Sequence, residues 1–144
     1  MKRTPIIMYV TILTLSIYSV AKNSDSKNDL SGNYEQKLGD AIAVFMNSTL
    51  DKIQKVAGYD APVIVTYKKD KDVLSVIIFG SRNDTDNVKD SMNDFRKKVF
   101  SEMTKIVSNV YGVTLGESDY IITYINKNSK KKKLQFYMGK YIIP

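Results

Sequence analysis

Apolar positions recur at helical spacing from Tyr34 onward. Leu38, Ile42, Phe45, Leu50, Ile53 and Val56 or Ala57 stand three and four residues apart, with one slip near Thr49. That spacing predicts an amphipathic helix over 34–57. Ser31 or Asn33 can cap its start, and Gly58 stands where a helix end often turns left-handed. The pattern then changes to period two. Two β-branched runs, 62–68 and 73–79, flank Lys69-Asp70-Lys71-Asp72, which reads as a hairpin. A second helical face follows in Val88, Met92, Phe95, Val99, Met103, Ile106 and Val110. Asp84 or Thr85 suits its start, because a short oxygen side chain accepts the free N–H groups of a first turn. The acidic Asp86 and Asp90 suit the positive end of the helix dipole. Residues 118–126 and 133–143 then form a second predicted hairpin, turning at Lys127 to Lys132.

This order predicts an α+β fold: two αββ units forming a four-stranded antiparallel sheet with two helices packed on one face. Alternation splits each strand between two sides. Leu74, Val76 and Ile78, with Leu134, Phe136 and Met138, are expected beneath the helices. The opposite parities are not polar, which a sheet covered on one side would require. A free apolar face is therefore expected around Tyr120, Ile122, Tyr124 and Tyr137. Tyrosine suits a contact surface because it joins a rigid apolar body to a polar tip. The expected partner is another protein or a second copy of the chain. Scattered exposed apolar residues are also ordinary on a protein surface.

The start of the chain modifies this picture. Lys2 and Arg3 precede an apolar run from Pro5 to Val20 that is interrupted by Thr11, Thr14, Ser16 and Ser19. Small residues at Ser19 and Ala21 complete the pattern of a secretory signal peptide over 1–21. The run is short of the about 20 predominantly apolar residues that span a bilayer. The polar, aperiodic 22–33 reads as a flexible linker, leaving 34–144 as a single domain. The implied location is periplasmic or secreted. The lysine-, asparagine- and isoleucine-rich composition fits a bacterial source. After cleavage no further segment is apolar enough to span a membrane.

Composition restricts the chemistry. The 144 residues contain no histidine and no cysteine. Imidazole bases, thiolate nucleophiles, disulfides and the usual zinc ligands are thus excluded. Asp84-x-Asp86 begins like a calcium loop. Val88 and Lys89 then occupy positions for an oxygen ligand and the turn glycine, and Phe95 replaces the closing glutamate. No metal site or cofactor is expected. Asp90 and Asp94, one turn apart and flanked by Arg96, Lys97 and Lys98, read as a solvated helix face and not as an acid–base pair. The expected function is binding without catalysis; the remaining alternative is a hydrolase using carboxylates. Asn47-Ser48-Thr49 and Asn83-Asp84-Thr85 fit the glycosylation pattern, which is common by chance.

The formal charge of +7 falls to +5 when Lys2 and Arg3 are removed, and only Arg82 and Arg96 then remain as arginines. Lysine is a hydrated point charge, less suited than arginine to a shaped phosphate site. Lys130, Lys131, Lys132 and Lys133, with Lys127 and Lys140, gather charge on the second hairpin. One reading is a binding patch for an anionic envelope surface, to which each lysine contributes about 1 kcal/mol. The other is a solubilising turn that deters edge pairing. Export and the missing aromatic–glycine signature argue against nucleic acid. Mass spectrometry of the protein recovered from its native host should show a chain beginning at Lys22; an intact Met1 would remove the signal-peptide reading.

Overall fold

The computed structural model describes residues 2–3 and 27–144. Apart from Lys2 and Arg3, which pair with Val113–Thr114, the expected signal segment lies outside the described residues. Helix α1 spans Lys27–Ala57 and is followed by β1, Val63–Lys68, and β2, Val73–Gly80. A long helical stretch comes next: α2, Thr85–Phe95; a π-turn, Arg96–Phe100; and α3, Ser101–Tyr111. Strands β3, Tyr120–Asn126, β4, Lys132–Tyr137, and β5, Lys140–Ile142, complete the domain. Among the described residues no helix is long and apolar enough to cross a membrane.

The fold is α+β, but its sheet has five strands and is mixed. The order is β1-β2-β3-β4-β5. The outer neighbours pair antiparallel, whereas β2 and β3 run parallel, with Leu74 opposite Tyr120 and Gly80 opposite Asn126. The expected all-antiparallel, four-stranded sheet is corrected on both counts. A helical crossover carries the chain back to the end where β2 began, so the next strand in the sheet starts parallel to it. The fifth strand arises because Met138 and Gly139, both at positive φ, fold the predicted last strand into a second tight hairpin. Met138, expected under the helices, is exposed there.

All the helices contribute to one core. Ile42, Met46 and Leu50 of α1, Val88, Met92 and Phe95 of α2, and Met103 and Val107 of α3 meet Val65, Leu74, Val76, Ile78, Ile122, Leu134 and Phe136 of the sheet. The helix over the first hairpin sits close: a Cβ at Gly39 would lie 2.5 Å from the Tyr67 ring. Asn47 of α1 also reaches the outer edge of β1. Its amide donates to Val65 O at 2.7 Å and its oxygen accepts from Val65 N at 2.8 Å. Helix α1 begins seven residues before the predicted Tyr34, inside the expected linker. Once a helix is nucleated by packing, each added residue contributes one more backbone bond, so polar residues can join it.

The two predicted helix ends are where glycine was expected. Gly58 and Gly112 have φ of 70° and 57°, and the Gly112 N–H bonds Ser108 O at 2.7 Å. At the start of α2, Asp84 is the cap, accepting from Asp86 N at 2.9 Å. Its carboxylate also accepts from the Asn87 amide, so a capping role accounts for this residue.

The π-turn alters the predicted face of the second helix. The Ser101 N–H reaches back to Arg96 O, one residue further than an α-turn. The insertion buries Phe100 beside Val99 and advances the later face by one position. Val107 is 0% exposed, and the predicted Val110 is 55% exposed. The substitution Val107→Ala should therefore destabilise the fold by roughly 2 kcal/mol through lost methyl burial. Val110→Ala should stay within about 0.5 kcal/mol of the wild type. Urea unfolding of the two variants checks this; equal losses would contradict the inserted turn.

Candidate functional site

The expected contact tyrosines are not brought together. In parallel register with Leu74, Val76 and Ile78, the residues Tyr120, Ile122 and Tyr124 point into the helix-covered core. They are 9%, 0% and 1% exposed. Tyr120 packs on Phe100 with ring centroids 4.5 Å apart. Burial raises its phenol pKa, while the nearby Arg96 charge lowers it. Only Tyr137 of the expected set lies on the open face. Both parities of β3 are apolar, so its own residues could not reveal which side was buried; its register with β2 decides it.

The face away from the helices is built from the other parity; it is most exposed at its edges, while Thr123 at its centre and Val73 at the start of β2 are 5% and 2% exposed. Ile64 opposes Ile77, Ile77 opposes Thr123, Thr123 opposes Gln135, and Gln135 opposes Ile142. Phe79 opposes Ile125 on the same side. Ile64 and Ile142, at the two edges, are 49% and 44% exposed. Ile77, Phe79, Ile121, Ile125 and Tyr137 are half-buried. None of these residues belongs to the core cluster. In the middle, the Gln135 amide donates to the Thr123 hydroxyl at 3.2 Å. The five strands contain no aspartate or glutamate, and their only ionic groups are Lys68, Lys132, Lys133 and Lys140.

The lysine set is divided by the hairpin. Lys127, Lys130 and Lys131 occupy the exposed β3–β4 turn, and Lys132 begins β4 opposite Ile125. Lys133 is the extra residue where the β3–β4 register shifts. Lys140 instead opposes Tyr137, at the far end of β4. Five residues of extended chain place it roughly 17 Å from Lys132. The expected single patch including Lys140 is corrected to a turn cluster plus one distant charge.

A second feature, which the sequence reading did not find, is a cleft of ≈ 540 Å³ beyond the carboxyl ends of β2 and β3. After Gly80 the chain rises over the helix side of the sheet toward α2. After Asn126 it turns within the sheet toward β4. The two exits diverge, and the α1–β1 loop, Gly58–Pro62, closes the third side. Gly80 permits the floor to form. A Cβ there would lie 1.8 Å from the Tyr124 hydroxyl, which passes beneath the strand and accepts from Arg82 N at 3.0 Å.

Buried polar side chains fix the walls. Asn126 is buried and donates to Arg82 O at 3.1 Å and to Asn83 Oδ1 at 2.9 Å. Its own oxygen accepts from the backbone N–H groups of Asn128 and Ser129 at 3.0 and 2.9 Å. One amide thus holds both diverging loops. Gln54 does the same for the third wall, donating to Tyr59 O at 3.2 Å and Ala61 O at 2.6 Å. The Tyr59 and Ser91 hydroxyls are 3.0 Å apart, joining that loop to α2. These residues come from separate parts of the chain and have no shared spacing, so no sequence motif marks the cleft. Of the two glycosylation asparagines, Asn47 commits its amide nitrogen to Val65 O, whereas Asn83 is exposed and accepts from Asn126 through its oxygen.

Burial pushes the Tyr59 phenol up to about 12 against the opposing hydrogen bond from Ser91. The unfolded phenol ionises near 10. The fold therefore holds the proton more tightly, and this contribution to stability is complete below pH 10 and lost as pH rises through 12. Alkaline titration of phenolate absorbance should show a late component, to which Tyr67 and Tyr120, also raised by burial, contribute beside Tyr59, and the Tyr59→Phe variant should diminish it. An unchanged curve would contradict the packing of this loop on α2. Comparison of the chain with family models, with curated proteins and with solved structures finds no match.

Proposed function

We propose that the protein is a small exported binding protein, without catalysis, whose open sheet face docks a protein partner with an apolar, acid-rimmed surface. The observation that carries this reading is the open face itself. Ile64, Ile77, Phe79, Ile121 and Ile125 share a side of the sheet away from the helices and outside the core cluster. A sheet with one solvated face ordinarily alternates to polar residues there. The strands carry lysines and no carboxylates, so two copies placed face to face would oppose like charges. A partner rimmed by carboxylates meets both the apolar centre and the cationic border. The turn lysines Lys130 and Lys131, next to Lys132 at the start of β4, lie beside this border and add attraction during encounter.

Immobilised protein should retain one partner from the envelope fraction of its host, and that partner, once purified, should bind directly. Binding should weaken with salt, because rim charges are screened. The Ile121→Glu and Phe79→Glu variants should lose the partner while keeping the wild-type circular dichroism melt. A captured set that these variants leave unchanged would overturn the reading. Light scattering that shows a dimer dissolved by Ile121→Glu would replace the partner with a second copy. Binding to anionic vesicles that survives Ile121→Glu but is lost on changing Lys130, Lys131 and Lys132 to Gln would assign the function to the turn.

A further inference from the structure

We propose that the cleft beyond β2 and β3 binds a small zwitterion, carrying a carboxylate and an ammonium group, of the free amino acid or short-peptide class. Its cations and its acids come from different walls. Arg82 and Lys127 follow the ends of β2 and β3, Asp90 and Asp94 line the cleft from α2, and Asp60 lines it from the α1–β1 loop. Among the described residues the only ion pair made by any of these five is Asp94 with Lys98, at 2.9 Å. Opposite charges therefore share one concave space without neutralising each other across it. A ligand with both charges can bridge them: its carboxylate faces Arg82, whose planar fork matches that group, and its ammonium faces the α2 acids.

Two more features select this class. The cleft volume of ≈ 540 Å³ lies within the range of sites for small molecules. Phe79, Ala61 and Pro62 also line it, giving an apolar side chain a place beside the charges. The walls are prepared in advance. Asn126 and Gln54 spend their buried amides on the backbone of the lining loops, and Tyr59 is tied to Ser91. Positions held in this way lose little freedom when a ligand arrives. Phe79 borders both the cleft and the open sheet face, so the two sites adjoin, whereas the charged groups of the cleft lie beyond the strand ends.

The test is calorimetric titration of the protein with leucine and with the dipeptide Leu-Leu, which differ in the span between their charges. N-acetyl-leucine and leucinamide, which each keep one charge, serve as controls. Saturable binding of one zwitterion is expected, with both single-charge analogues weaker by about tenfold or more, since each removes a charge-assisted contact. Arg82→Gln and Asp90→Asn should each weaken the zwitterion by about tenfold and leave the thermal melt unchanged. Both side chains are exposed, so the variants should fold. Absence of saturable binding by both zwitterions at millimolar concentration would overturn the proposal. Equal binding of the single-charge analogues, or of the two variants, would also overturn it.

Discussion

The parallel pairing of β2 with β3 is the constraint on which the rest of the molecule depends. It sets Leu74, Val76 and Ile78 beside Tyr120, Ile122 and Tyr124, and so decides which side of β3 is buried. It also places the carboxyl ends of both strands at one end of the sheet, where the following segments separate. The core and the cleft are thus two results of one register. A shift of one residue would turn every side chain of β3 to the opposite face. Tyr124 would then leave its position beneath Gly80, and the Arg82 N–H would lose its acceptor.

The helical crossover makes that pairing possible. Its long segment includes a π-turn, which rotates the buried stripe partway along and lets Phe95, Val99, Phe100 and Met103 all face the core. The same turn carries Arg96, whose guanidinium lies 3.5 Å from the Phe136 ring centroid. The Arg96 guanidinium also donates to the Tyr141 hydroxyl at 3.3 Å, and Tyr141 packs on Phe136 with centroids 5.0 Å apart. A cation over an aromatic face contributes about 0.5–1 kcal/mol where exposed and more where desolvated. This group of side chains secures the crossover to β4 and β5, on the half of the sheet that α1 does not cover.

Elements were legible in the sequence where one signal dominated. The hairpin runs 62–68 and 73–79 match β1 and β2 closely, and Gly58 and Gly112 end their helices. The failures occurred where local patterns left two solutions. Val99 and Phe100 both suit a buried face, so nothing in the spacing required an inserted residue after Arg96. The residues of β3 are apolar in both parities, and only pairing with a distant strand separates Tyr124 from Ile125. The antiparallel expectation neglected the direction in which a helix returns the chain. The cleft was invisible because Tyr59, Arg82, Asp90 and Lys127 are joined only by tertiary structure. The open face was legible as a surplus of apolar residues, although its membership was not.

The amide of Asn47 has a consequence for how sheets of this protein can join. Val65 is the central residue of β1, and its outward N–H and C=O are both already bonded. An incoming strand would have to displace that bidentate contact before adding to this margin. The opposite margin, β5, offers only Lys140–Ile142. Lateral addition at β1 therefore competes with the Asn47 amide at Val65, a contest that an approach along β5 does not face.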